Sequence, residues 1–213
     1  MPANSVGVTK ARLEAFSDGV IAVAITLLAL NLRVPAPDGT ANLARALAHQ
    51  WPSYVAYATS FLTIGIIWIN HHAMIGRLRQ PDHMILTLNL LLLLWIAELP
   101  FATDLIATYL RAGHGENVAA AVYAGSFLMM AITFSELNRH ILFAKAHLLS
   151  VELSIERRRQ ILSRSITGLI PYAVATALAA VSQYITLVIC AAVAVFYALP
   201  IASSSERIDE AVS

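Results

Sequence analysis

The sequence predicts an all-α membrane protein of six transmembrane helices, a single domain over residues 1–213, with both termini on the cytoplasmic side. Three observations predict it. Hydrophobic residues make up 58% of the chain and charged residues only 13%, and the mean hydropathy is +0.69, far too apolar for a soluble domain of this length. Six apolar runs, at about 12–33, 51–75, 83–110, 117–140, 161–181 and 184–202, are bounded by charges or by Pro/Gly clusters. With the N-terminus inside, eleven of the Lys and Arg residues fall on the inner side and three, Arg33, Arg45 and Arg111, outside, the bias expected of cytoplasmic loops.

The first run sets the frame. Twenty mostly apolar residues separate Arg12 from Arg33, about the number a helix needs to cross ~30 Å of hydrocarbon. Near its start sits a polar box, Phe16-Ser17-Asp18-Gly19. Asp18 lies six residues inside Arg12, roughly 9 Å along the axis, where a carboxylate needs a partner or water. The second run ends in Trp68, Asn70, His71 and His72, with His71 six residues before Arg77. The third begins at Asp82-His83 and carries Asn89. Counted from the helix ends, these groups share one depth. Ser17, Asp18, Trp68, a histidine and Asn89 are therefore expected to form one buried polar cluster joining three helices.

Later stretches carry less. Segment 34–50 starts with helix breakers and continues as a short amphipathic piece, a connecting loop. Segment 141–160 is expected to be an amphipathic, helical linker at the interface, with its Arg157-Arg158-Arg159 run on the membrane surface. Val181-Ser182-Gln183-Tyr184 forces the last two runs into an antiparallel hairpin. Glu98 beside Pro100, and Glu136, are expected to bond to neighbouring helices. The tail from Ser203 is short and polar, and no secretory cleavage pattern opens the chain.

Several function classes drop out. The single cysteine, Cys190, and the absence of an H-x-x-x-H pair argue against a metal site at Asp18 and His71 or His72. A net charge of +1 gives no reason to expect nucleic acid. No G-x-S-x-G, phosphate loop or haem or flavin motif is present, so neither an enzyme nor a cofactor is expected. A proton relay through Asp18 and His71 stays open on chemistry, although no acid or histidine continues it along the first helix. An ion- or proton-coupled secondary transporter using that cluster is the alternative to a channel, yet neither an internal repeat nor paired Gly/Pro breaks are visible. Beyond the box, Val23, Leu27 and Leu30 share one face of the first helix and Thr26 lies beside it.

The string Arg12-Leu13-Glu14-Ala15-Phe16-Ser17-Asp18-Gly19-Val20, followed by Ala22-Val23-Ala24-Ile25-Thr26-Leu27-Leu28, resembles the R-x-x-x-F-S-D hallmark of the endosomal/lysosomal potassium channel family, whose bacterial members are six-span subunits. Trp68 with His71-His72, then Asp82, Asn89 and Leu99-Pro100-Phe101, resemble it too. The resemblance implies a homotetrameric potassium channel in the inner (plasma) membrane, its partners being its own copies, the bilayer and permeant K+, with the first helix at the pore. By position it implies a hydrophobic constriction at Val23, Leu27 and Leu30, with Thr26 contributing to selectivity in place of a T-V-G-Y-G filter. Arg12, Phe16, Ser17, Asp18, Trp68, His71, His72 and Asn89 are implied as the network that holds the pore helix. Relatives commonly carry Ile or Leu where this chain has Val23, so a wider neck and modest selectivity are expected.

Overall fold

Thr9 starts the first helix: its hydroxyl accepts the backbone N–H of Arg12 at 3.4 Å, one of the free donors of a helix start. Asp82, Ser154 and Ser182 do the same for Ile85, Arg157 and Ile185, and Asn42 caps a short helix through Ala44. The resulting elements, in this computed structural model, are α1 (Lys10–Leu28, closed by a 3-10 turn, Ala29–Asn31), α2 (Leu43–His49), α3 (Trp51–Gly76), α4 (His83–Ala112), α5 (Glu116–Arg139), α6 (Ile155–Thr167), α7 (Leu169–Leu178) and α8 (Gln183–Ala198). A π turn, His140–Ala144, and a 3-10 turn, Ala146–Leu148, follow α5. The structure describes residues 8–35 and 42–199. The middle of the loop predicted at 34–50, the end of the run predicted to reach 202, and the tail from Ser203 with Arg207 lie outside the described residues.

Among the described residues, five helical stretches are long and apolar enough to cross a membrane: Lys10–Asn31, Trp51–Gly76, His83–Ala112, Glu116–Ala144 and Ile155–Leu178; α8 is shorter. A sharp turn connects α4 and α5. Gly113 and Gly115 between α4 and α5 have φ of 73° and 76°, a region that costs a side chain strain, and a Cβ on Gly115 would also meet the Tyr109 ring at 3.0 Å.

α4 and α5 pack along one another at the middle of the bundle, and Leu92, Ile96 and Leu99 of α4 and Ala119, Ala120, Ala124 and Phe127 of α5 are all buried. Small alanines let helix backbones approach closely where lipid supplies no hydrophobic drive. α7 and α8 lie against α5, α8 also against α3, and α1 is seated on α3 and α4. A buried hydroxyl cluster ties α3, α4 and α5: Ser60 Oγ lies 2.8 Å from Thr103 Oγ1 and 3.1 Å from the Tyr123 hydroxyl. Because Thr103 gives its own proton to the Leu99 carbonyl, Ser60 donates to Thr103, and the Tyr123 hydroxyl sits between Ser60 and the Ala56 carbonyl.

The expected linker is different in kind. Residues 140–148 form the two tight turns, and the chain then runs without helix through 149–154, bending at Ser150 and Val151. Leu149 bridges Leu78, Arg79 N–H donates to the Leu148 carbonyl at 2.8 Å, and Ser150 N–H to the Arg77 carbonyl at 2.7 Å. Only then does α6 begin, six residues before the predicted start at 161, because the Ser154 cap and Glu156 in the first turn favour helix there. Hydropathy places that start later, since the arginine run is polar; the run is helical but not apolar.

Candidate functional site

Each side chain of the site is placed by the helix that carries it. α1 and α4 run in the same direction, and Ser17 and Asn89 meet across them, buried. Ser17 Oγ donates to the Leu13 carbonyl one turn back at 2.9 Å. That fixes the rest by donor counting. Its lone pair accepts Asn89 Nδ2–H at 3.0 Å, so the amide oxygen faces His71, whose Nε2 lies 2.7 Å away and must carry the proton. The chain His71, Asn89, Ser17, Leu13 carbonyl thus ties α3, α4 and α1 with a single sense of donation.

Asp18 belongs to a second contact. Its Oδ1 accepts Trp68 Nε1–H at 2.8 Å, at the exposed edge where Trp68 also lies near His72, ring centroids 6.4 Å apart. The one cluster expected from depth is therefore two: a buried chain through His71 and a more open Trp68–Asp18 pair. Adjacent helical histidines point about 100° apart, so His71 is buried and His72 exposed. Asp18 and His71 bond to different partners, which leaves no direct relay between them. Arg12 and Phe16 are exposed, and the Arg12 side chain makes no hydrogen bond among the described residues. Both line a groove of about 280 Å³ between α1 and α4, with Val8, Leu13, Leu86, Asn89 and Leu90.

Anchors at both ends of α1 complete the seat. Lys10 Nζ donates to the Gly76 carbonyl at the end of α3, 2.7 Å, where a cation also suits the helix dipole. At the far end Asn31 Nδ2 donates to the Pro100 carbonyl at 3.0 Å, and Arg33 lies 3.7 Å from Asp104. These three contacts and the Ser60–Tyr123 cluster were not anticipated from the sequence. A Ser53, Ala56, Ser60, Thr63 stripe at helical spacing is the signal that could have located the cluster.

Held on one side, α1 presents the other. Ile21, Ala24 and Leu28 are 2%, 2% and 0% exposed, whereas Val23, Leu27 and Leu30 are 56%, 43% and 73% exposed. Thr26, also exposed, donates its hydroxyl to the Val23 carbonyl at 2.8 Å. Glu136 pairs with Arg139 on its own helix. Glu98 keeps one buried oxygen, Oε2, without a hydrogen-bond partner. Among the described residues no three His, Cys, Asp or Glu side chains gather as a metal site.

Comparison with known proteins fits this arrangement. A family model, Endosomal/lysosomal potassium channel TMEM175, matches residues 12–100, which contain every residue of the His71–Asn89–Ser17 chain and of the Trp68–Asp18 pair. A protein of Streptomyces collinus named as a potassium channel is 42% identical over 186 residues, covering 87% of this chain and 90% of its own length. The chain belongs to the TMEM175 family. The crystal structure of a lysosomal potassium-selective channel TMEM175 homolog from Chamaesiphon minutus matches with a TM-score of 0.79 at 37% identity, over 89% of this chain and 96% of that one. A Gallus gallus relative named endosomal/lysosomal proton channel TMEM175 is 37% identical over 122 residues, 54% of this chain and 24% of its own length. TMEM175 membership makes this a multi-pass membrane protein of the channel class rather than an enzyme.

Proposed function

We propose that the chain is the subunit of a potassium-permeable channel in which four copies bring their α1 helices to a common axis. The observation that carries this reading is the division of α1 into a seated face and an open one: α3, α4 and anchors at both ends hold the first, while Val23, Leu27 and Leu30 are left uncovered on the second. Support comes also from the potassium-channel names of relatives that match most of its length. The basic end of the bundle, with Lys10, Arg12, Arg77, Arg79 and the Arg157–Arg159 run, faces the cytoplasm of a cell whose inner membrane the channel spans.

Aliphatic rings at Val23, Leu27 and Leu30 give an ion no ligands, so passage requires partial loss of its water. Potassium sheds water more cheaply than sodium, and a narrow apolar neck favours it and closes by dewetting. Thr26 gives its proton to the Val23 carbonyl, which leaves oxygen lone pairs to meet a cation. The His71–Asn89–Ser17 chain and the Trp68–Asp18 pair hold α1, with Arg12, Phe16 and His72 at the edge of that seat. No cofactor takes part.

Potassium flux into liposomes holding the purified protein, with sodium as control, tests this. Fast, potential-driven potassium flux that changes when Leu27→Asn is introduced is the expected result. Saturable flux that needs a counter-ion would make the protein a transporter instead.

A further inference from the structure

Outside the pore region, the basic end of the bundle holds one more cluster of titratable groups. Asp82 Oδ1 caps α4 by accepting Ile85 N–H at 2.7 Å. Its other oxygen, Oδ2, lies 3.2 Å from His140 Nε2 and 3.6 Å from Lys145 Nζ. His140 opens the π turn after α5, and Lys145 N–H donates back to the His140 carbonyl at 2.9 Å. The same loop before α4 is strapped to 148–150 by the Leu78–Leu149 bridge. Asp82 lies seven residues, two helical turns, before Asn89, so both are on one side of α4. No Pro or Gly interrupts the helix between them.

Resting on the channel reading above, we propose that Asp82 and His140 are positioning residues for the pore: they fix the first turns of α4 against α5 and thereby set where Asn89 meets Ser17 on α1. The carboxylate–imidazolium form of the pair holds α4 more firmly than the form with a neutral imidazole, because a hydrogen bond between charges is stronger than one with a neutral partner. Proton concentration at the basic end therefore adjusts the seat of α1. The other charges on the elements that pack here are Arg77 and Arg79 on the strapped loop, the neighbouring His83, His147 on the 3-10 turn, Arg158 of α6, whose Nη1 donates to the Leu142 carbonyl at 3.4 Å, and the Glu136–Arg139 pair of α5. None of these lies between Asp82 and His140.

The test compares potassium flux at about pH 6 and about pH 8, the range across which histidine changes charge, in the native channel, His140→Gln and Asp82→Asn. Asn retains the helix cap and Gln retains a donor, so both variants keep the contacts a merely structural role requires. The expected result is native flux about threefold higher at the lower pH, and a flat profile in each variant. Hydrogen exchange at the amides of 13–20 and 85–89 is measured beside it, and should be faster in both variants. A native profile with no such pH ratio, or variants that keep both the ratio and native exchange, would overturn the proposal. If the native protein carries no flux, the channel reading fails, and unchanged exchange alone then decides against the positioning role.

Discussion

At the residue scale, the account turns on Asn89, which is both acceptor for His71 and donor to Ser17. Replacing it by Ala strands both partners in a buried position. Each unmet group costs about 1–3 kcal/mol, so Asn89→Ala should lower the thermal midpoint in detergent and the yield of assembled protein. Asp18→Asn is the milder change: an amide oxygen still accepts Trp68 Nε1–H, and loss of that contact alone is worth about 1 kcal/mol. Trp68→Phe should therefore lower the midpoint more than Asp18→Asn does; the reverse order would mean that the charge of Asp18, and not its hydrogen bond, matters. These residues were legible in the sequence because depth along a helix can be counted from its charged ends. Their division into two contacts was not, since counting gives depth but not which neighbour a side chain faces.

At the element scale, α1 is held along its length by unlike contacts: Lys10 on the end of α3, Ser17 on α4, and Asn31 on the Pro100 carbonyl. The first two contacts lie near charged or polar motifs that the sequence displays. The third depends on where a carbonyl beside a proline happens to lie, which no sequence spacing reveals. The hydroxyl cluster at Ser60, Thr103 and Tyr123 was hidden for a related reason. A threonine in an apolar helix can satisfy itself on the carbonyl four residues back, as Thr103 does on Leu99, so its presence announces no partner. Tyr123→Phe removes one member and leaves Ser60 its bond to Thr103; a loss of about 1 kcal/mol is expected in a denaturation series. In the turn between α4 and α5, Gly115→Ala should destabilise more than Gly113→Ala, because only the former adds a clash with Tyr109 to the strain of positive φ.

At the scale of the whole molecule, the fold class was legible because composition and the spacing of apolar runs reflect the bilayer itself. The strap from 148–150 to the loop before α4 was not, for it is made by backbone groups that every residue possesses. Asp82, which caps the helix after that loop, gives the molecule an acid limit. Burial works against the charge of Asp82, but the Ile85 N–H, His140 and Lys145 outweigh it and hold the carboxyl below its ordinary range. A carboxyl lowered in the native state adds stability above its unfolded value, about pH 3.9, and loses it as pH falls through the native one. Thermal unfolding followed from neutral pH down past about pH 4 should show that loss in the native protein, and a smaller one in Asp82→Asn.

The central claim is that the open face of α1 meets water and ions, not lipid. Single cysteines at Leu27 and at Leu28, with Cys190→Ala to remove the native thiol, can be challenged with a charged, membrane-impermeant thiol reagent during potassium flux. The account predicts block at Leu27→Cys and none at the buried Leu28→Cys. Flux that continues undiminished in a fully assembled Leu27→Cys channel, and likewise at Val23→Cys and Leu30→Cys, would contradict it and return that stripe to the lipid.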